Sequence, residues 1–244
     1  MNVLIYNEFR HEQDPGCAAG KIYPEGIHSA IAGFLRKEPD ISVRTVTLDT
    51  VAEGITEEIL KETDVLIWGG HMNHADVPDR VAELVQEAVL NGMGALFLHS
   101  AHKSKPFMRL MGTSCSLIWR ESDDLERVWV SAPYHPIAAG LDRFFEIPAD
   151  ETYGEPFGIP TPDETVLIGW FTGGEVFRSG CTWQRGWGKV FYFQPGHETY
   201  PIYYDPNLQT VIRNAVRWAK PERRTENCMD CPNPPKAHTG MSTV

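Results

Sequence analysis

No run in this chain approaches the roughly 20 consecutive apolar residues of a membrane span, and its first residues lack the basic and long apolar segments of a secretion signal. A cytoplasmic protein without membrane contact is expected. Basic residues are also short: 22 Lys and Arg stand against 33 Asp and Glu, for a net charge of -11 and no basic stripe. A nucleic-acid partner needs such a stripe to displace counterions, so DNA and RNA are not expected. Cysteine is sparse and odd in number, with five residues spread as Cys17, Cys115, Cys181, Cys228 and Cys231, which is no secreted disulfide framework. The pairs Gly69-Gly70 and Gly173-Gly174 lack Gly-x-Gly-x-x-Gly spacing, so no nucleotide cofactor is expected. The His-x2-His pairs lack the i, i+4 spacing of a zinc-protease helix, and the Gly-x-Ser-x-Gly elbow of a serine hydrolase is missing. There is no internal repeat.

What is present is an ordinary globular composition, 42% hydrophobic and 23% charged, in 244 residues. That is enough for one large α/β domain, and nothing in the composition divides it. Residues 3–6, 43–48 and 65–68 read as strands, with a helical pattern at 23–37 burying Ile27, Ile31, Phe34 and Leu35 and a short helix at 57–61. An amphipathic pattern at 78–90 leads into an apolar run at 95–98. This alternation predicts a right-handed, doubly wound α/β/α sandwich of three layers with a mostly parallel central sheet. Residues 115–120, 127–131, 166–171, 175–183 and 189–193 are strand-like and joined by turns, so the second half reads as an antiparallel insert or extension. A closing helix is expected at 206–219. From residue 221 the composition turns to Pro, Asn, Thr and charge, which separates a domain at 1–220 from a Pro-rich tail at 221–244.

The central stretch is Gly92-Met-Gly-Ala-Leu-Phe-Leu-His-Ser-Ala-His-Lys103, a buried-looking strand that ends in His99, Ser100 and His102. In an open α/β sheet the carboxyl ends of the strands are where ligands bind. Two further strands end alike, in Trp68-Gly-Gly-His-Met-Asn-His74 and in Gln194-Pro-Gly-His-Glu198. A single histidine is as often structural as functional. Here His71, His74, His99, His102 and His197 all follow apolar strand runs, and His28 and His135 can join from neighbouring loops. With Glu151 or Glu198 nearby, such a cluster can supply a general base and a general acid for proton transfer at a sugar carbon or oxygen. The same groups suit a divalent metal, and the sequence leaves both open. Tyr153 is a stacking candidate, and Arg10 and Arg178 are candidate polar anchors for substrate.

Several segments together are similar to those of the trehalose-utilisation ThuA family: Asn7-Glu-Phe-Arg-His-Glu12, Tyr23-Pro-Glu-Gly-Ile-His28, Trp68-Gly-Gly-His-Met-Asn-His74, Leu98-His-Ser-Ala-His102, Met111-Gly-Thr-Ser-Cys-Ser-Leu117, Gly174-Glu-Val-Phe-Arg-Ser-Gly-Cys181 and Pro195-Gly-His-Glu-Thr-Tyr-Pro201. The resemblance runs in order over about residues 1–220. It implies a class I glutamine amidotransferase-like (flavodoxin-like) fold and a role in disaccharide or keto-sugar metabolism. In those amidotransferases a cysteine nucleophile follows the central strand, with a His and a carboxylate on a later strand. His99 stands in the nucleophile's place, and His197 and Glu198 resemble the partner pair. Glutamine hydrolysis by a thioester is therefore not expected, and Ser100 lacks its elbow.

The leading expectation is an enzyme acting on trehalose or a related, including keto-, disaccharide, with His99, His197, Glu198 and Glu151 catalytic. Arg10, His28, His71, His74, His102, His135, Tyr153 and Arg178 would bind substrate. The rival is a non-catalytic sugar-binding or regulatory protein on the same scaffold. Zinc has two placements left open, catalytic at the histidines or structural in the tail on Cys228, Cys231 and His238. The expected partner is a small-molecule sugar, and a homo-oligomer fits the reading.

Overall fold

The computed structural model describes residues 1–226. Cys228, Cys231 and His238, the proposed tail zinc ligands, lie outside them, as does most of the segment read as a tail. In chain order the elements are β1 (Asn2–Asn7), α1 (Ala19–Ile22), α2 (Ile27–Leu35), β2 (Ser42–Thr47), α3 (Val51–Gly54), α4 (Glu57–Glu62), β3 (Val65–Gly69), α5 (Asp79–Leu90), β4 (Gly94–Leu98), α6 (Lys105–Met111), β5 (Ile118–Val130), β6 (Phe144–Gly154), β7 (Glu164–Phe171), β8 (Val176–Arg185), β9 (Gly188–Phe193) and α7 (Pro206–Ala219).

The strands form one nine-stranded sheet in the order β2-β1-β3-β4-β9-β8-β7-β5-β6. Its sides differ in character. From β2 to β9 every pairing is parallel, while β9 to β6 are joined antiparallel throughout. The sheet is thus mixed rather than mostly parallel. The reason lies in the connections: parallel neighbours need a crossover of a dozen or more residues, whereas β7, β8 and β9 follow one another through tight turns.

Each central strand is buried on both faces, and its period-2 alternation divides the core. Val3, Ile5, Leu96, Leu98, Phe191 and Phe193 pack with Ile31 of α2 and Leu208, Val211 and Ile212 of α7. Leu4, Tyr6, Ala95, Phe97, Val190 and Tyr192 pack with Val81, Val85 and Val89 of α5 and Phe107 of α6. Helices therefore cover both faces. α7 starts sharply because Asp205 caps it, accepting from the N–H groups of Asn207 and Leu208 at 2.8 and 3.0 Å, with Pro206 in its first turn.

Two strand assignments change. The segments read as separate strands at 115–120 and 127–131 overlap the two ends of one 13-residue strand, β5, which leaves 115–117 and 131 outside it and whose polar middle has register shifts against β6. The polar run Glu121-Ser-Asp-Asp124 resembles a turn in sequence but stays extended. β6 itself was hidden by Pro148, which the sheet tolerates because β6 is an edge strand.

The close approach of β4 to α7 gives a stability test. A Cβ on Gly94 would lie 2.2 Å from the Ala219 carbonyl oxygen, whereas Gly33, in α2, has nothing within 4 Å. Gly94→Ala is expected to cost about 1–3 kcal/mol, and Gly33→Ala to add about 0.5–1 kcal/mol. Urea denaturation of the two variants checks this; equal effects would refute the contact.

Candidate functional site

Because β1, β3, β4 and β9 are adjacent and parallel, their carboxyl ends share one edge of the sheet. β1 runs into Asn7 and Glu8, β3 into Gly70 and His71, β4 into His99, and β9 into Gly196, His197 and Glu198. The crossover from β1 goes out to β2 on one side and returns to β3 on the other, which is the switch point where such sheets form a crevice. A cleft of ≈ 380 Å³, counting its open mouth, lies there, and Glu8, Arg10, His11, Glu12, His71, His99 and Glu198 are among the residues lining it.

The deepest part is a buried trio. His99 turns out of β4 at φ +51°, a left-handed conformation that a histidine adopts at a cost of about 1–3 kcal/mol. Its Nδ1 lies 2.8 Å from the Gln194 carbonyl oxygen, which can only accept, so Nδ1 carries a proton. Nε2 then approaches Glu151 Oε2 at 3.0 Å, on β6, without aligned hydrogen-bond geometry. The ring stacks on Tyr153, centroid to centroid 4.9 Å at 14°. Burial would lower the His99 imidazole, but the nearby Glu151 carboxylate, with Asp150 behind it, outweighs this and holds it up at about 9. Glu151 is lowered, its burial overcome by His99.

His197 is the third member. Its Nδ1 meets Thr199 Oγ1 at 2.7 Å, and its Nε2 is buried with no hydrogen-bond partner. Burial and then the charge of His99 hold its pKa down at about 4. An orphaned buried polar atom costs about 1–3 kcal/mol. One occurs in this trio, His197 Nε2; Glu151 Oε2 has only its 3.0 Å contact with His99.

Above the trio, His71 Nδ1 lies 2.6 Å from Glu198 Oε2, and His11 Nδ1 approaches the other oxygen at 3.5 Å. Burial would raise Glu198, but its hydrogen bond to His71 outweighs that and brings it to about 2. The turn carrying His71 is held by Glu8, which accepts the N–H groups of His71, Met72 and Asn73 at 2.9, 3.1 and 2.8 Å. His11, His71 and Glu198 offer one ligand set and His99, Glu151 and His197 another, the atoms within each lying within 4.8 Å of one another. These His/Glu groups could hold a metal ion.

Below lies Asp150. Its Oδ1 accepts the N–H groups of Glu151 at 2.8 Å and His197 at 3.3 Å, and its Oδ2 accepts that of Gly196 at 3.3 Å. It thereby ties β6 to the turn after β9. Glu126, also fully buried, accepts from Ser179 Oγ at 2.8 Å, and with its amide turned Gln194 donates to it at 2.8 Å. Burial, then the neighbouring charge of Asp150, raises Glu126 well above the usual carboxylate range.

The remaining expected residues scatter. His99, His197, Glu198, Glu151, His71 and Tyr153 come together. Arg10 reaches the cleft wall but forms a bidentate pair with Asp49 at 3.0 and 2.6 Å. His28 lies beside the cleft, 3.3 Å from Asn7 Nδ2. His74 borders Gly70, with its Nε2 buried and unpartnered. His102 points away, its Nδ1 on the Cys115 carbonyl at 2.7 Å and its pKa held at about 4 chiefly by burial. Arg178 is bound to Glu155 at 2.7 and 2.9 Å. His135 caps a turn by accepting the Ile137 N–H at 3.2 Å and packs on Trp218, away from the cleft. Ser100 Oγ is 3.0 Å from the Tyr153 hydroxyl. Sequence reasoning missed Glu8, His11, Glu126, Asp150 and Gln194. The polar loop after β1 was a signal for the first two; the others carry none.

The family model described as ThuA, trehalose utilisation, matches residues 2–219. Among solved structures, a ThuA-like protein of Parabacteroides merdae superposes with a TM-score of 0.67 at 14% identity, covering 92% of each chain. One of Bacteroides uniformis gives 0.62 at 17% identity, covering 89% of this chain and 90% of that one. A glutamine amidotransferase of Thermotoga maritima gives 0.54 at 12% identity, covering 90% of this chain and 97% of that one. No curated protein matches.

The buried Glu126 predicts a pH dependence of stability. Its folded pKa is raised, so the folded and unfolded states bind the same proton below the unfolded value, near pH 4.5. Above that, the unfolded chain ionises first and wild-type stability falls by up to about 1.4 kcal/mol per pH unit. Glu126→Gln does not titrate there. Its Tm relative to wild type is expected to rise between pH 5 and pH 8, and a constant difference would contradict the raised pKa.

Proposed function

Since the chain belongs to the ThuA family, described by trehalose utilisation, we propose that it is an enzyme of sugar catabolism that transfers protons on trehalose or a related disaccharide, keto forms included. The observation that carries the reading is the 2.6 Å contact between His71 Nδ1 and Glu198 in the wall of the cleft. An ionised carboxylate accepts the Nδ1 proton and leaves Nε2 with its lone pair, the arrangement that makes an imidazole a general base. His11 shares the same carboxylate, so a second imidazole, when protonated, can give up a proton of its own while His71 takes one. Acid and base then act across one bound sugar.

The lining favours a neutral polyol. Glu8, Glu12 and Glu198 are carboxylates, and the one guanidinium among the lining groups, Arg10, is already paired with Asp49. A phosphorylated sugar would meet more negative than free positive charge. Carboxylates and imidazoles suit hydroxyl groups, which donate and accept.

A cytoplasmic location belongs to the same proposal. It is supported by the free thiols of Cys17, Cys115 and Cys181. No helix among the described residues is long and apolar enough to cross a membrane.

The test is proton NMR in D2O with trehalose, other disaccharides and their keto derivatives. Wild-type protein is expected to catalyse deuterium uptake or bond cleavage on at least one of them, and His71→Asn to slow it by about 10²–10⁴-fold. His135→Gln should leave the rate unchanged. Sugar binding without turnover by wild type would replace this reading with a non-catalytic binding protein.

A further inference from the structure

We propose that His99 Nε2, His197 Nε2 and Glu151 Oε2 form a binding site for one divalent first-row transition-metal ion, of which Zn²⁺, Mn²⁺ and Fe²⁺ fit the donor set. The three ligands come from three separate places, the end of β4, the turn after β9 and edge strand β6, yet their atoms lie within 4.8 Å of one another. Each residue is 4% exposed. Metal–ligand distances of about 2.0–2.2 Å require closer ligands, which side-chain movements of about 1 Å would supply.

Three independent observations point to an ion. First, His197 Nε2 is buried with no hydrogen-bond partner, and Glu151 Oε2, buried beside it, has only the 3.0 Å contact with His99 Nε2. Second, both imidazoles are held by their other nitrogen. His99 Nδ1–H donates to the Gln194 carbonyl at 2.8 Å, as the outer nitrogen of a metal-binding histidine does, and His197 Nδ1 is held by Thr199, lying 2.7 Å from its Oγ1 and accepting its N–H at 3.4 Å. Both Nε2 atoms are thereby turned to one point, and an ion bound there displaces the protons they carry. Third, the backbones of two ligands, Glu151 and His197, hang from the one Asp150 carboxylate. The protein thus fixes three donor atoms around one point, of which His197 Nε2 has no hydrogen-bond partner.

Two imidazoles and a carboxylate leave coordination positions open. A further carboxylate, Glu198, has its Oε2 3.9 Å from His197 Nε2 but engaged by His71. The open side faces the cleft that His99 and Glu198 line, where water or a sugar oxygen would complete the shell. The site goes beyond the proton-transfer reading and stands without it.

The test uses the full chain carrying Cys228→Ser and Cys231→Ser, so that tail thiolates cannot bind the probe. Co²⁺ is titrated into metal-stripped protein and read by visible absorption and elemental analysis, with no sugar present. The expected result is about one Co²⁺ per chain with nitrogen and oxygen ligands. Affinity should fall by more than about 100-fold in His197→Ala and in the near-isosteric Glu151→Gln, beyond the about 10–100-fold expected for losing an outer partner, and remain in His135→Gln. Near-UV circular dichroism identifies a misfolded variant, and Glu151→Gln decides if His197→Ala unfolds. No binding in the tail variant, or unchanged affinity in folded Glu151→Gln, overturns the site, whatever the sugar assay shows.

Discussion

The grip of one buried carboxylate, Asp150, on the backbone of two distant segments is the interaction on which the candidate site depends. Its oxygens accept N–H groups from Glu151 on β6 and from Gly196 and His197 after β9. That tie joins the edge strand that carries Glu151 to the turn that carries His197, beside a histidine at the end of a central parallel strand. Gly196 serves the same tie. At φ +153° it permits a turn in which a Cβ would lie 2.4 Å from the Tyr203 hydroxyl and 3.2 Å from His99 Cβ.

The chemistry is layered above this support. Deepest are His99, Glu151 and His197, with Tyr153 stacked on His99 to exclude water. Nearer the opening are His71, His11 and Glu198, steadied by Glu8 through three backbone N–H groups. Neighbouring imidazoles are driven apart in protonation, His99 to about 9 and His197 to about 4, because burial dominates one and a carboxylate rescues the other. Such a separation is typical of sites that move protons. The strained backbone of His99 belongs to the same pattern, since a left-handed histidine persists only where its surroundings hold it.

Much of the parallel half was legible because its signals are short-range. The apolar runs of β1, β3, β4 and β9, the amphipathic faces of α2, α5 and α7, and the glycines and histidines after the strands are all read within a dozen residues. The antiparallel half was harder. β5 has a polar middle that mimics a turn, and β6 contains Pro148 and the charged Asp150-Glu151 pair, which sequence propensity assigns to a loop. With β6 unseen, Glu151 could be named only as a nearby carboxylate, and Asp150 and Glu126 were not singled out.

The sequence by itself determined which strand ends carry imidazoles and that the chain has the segments of the ThuA family. Only the tertiary structure decided which of those groups meet. It separated His102, His135 and Arg178, each satisfied by a local carbonyl, turn or carboxylate, from His71, His99 and His197 at one edge. The physical reason is range: spacing along the chain encodes a strand and the residue at its end. The contacts that assemble the site join residues 47 and 127 positions apart, through sheet order and hydrogen bonds that no local pattern records.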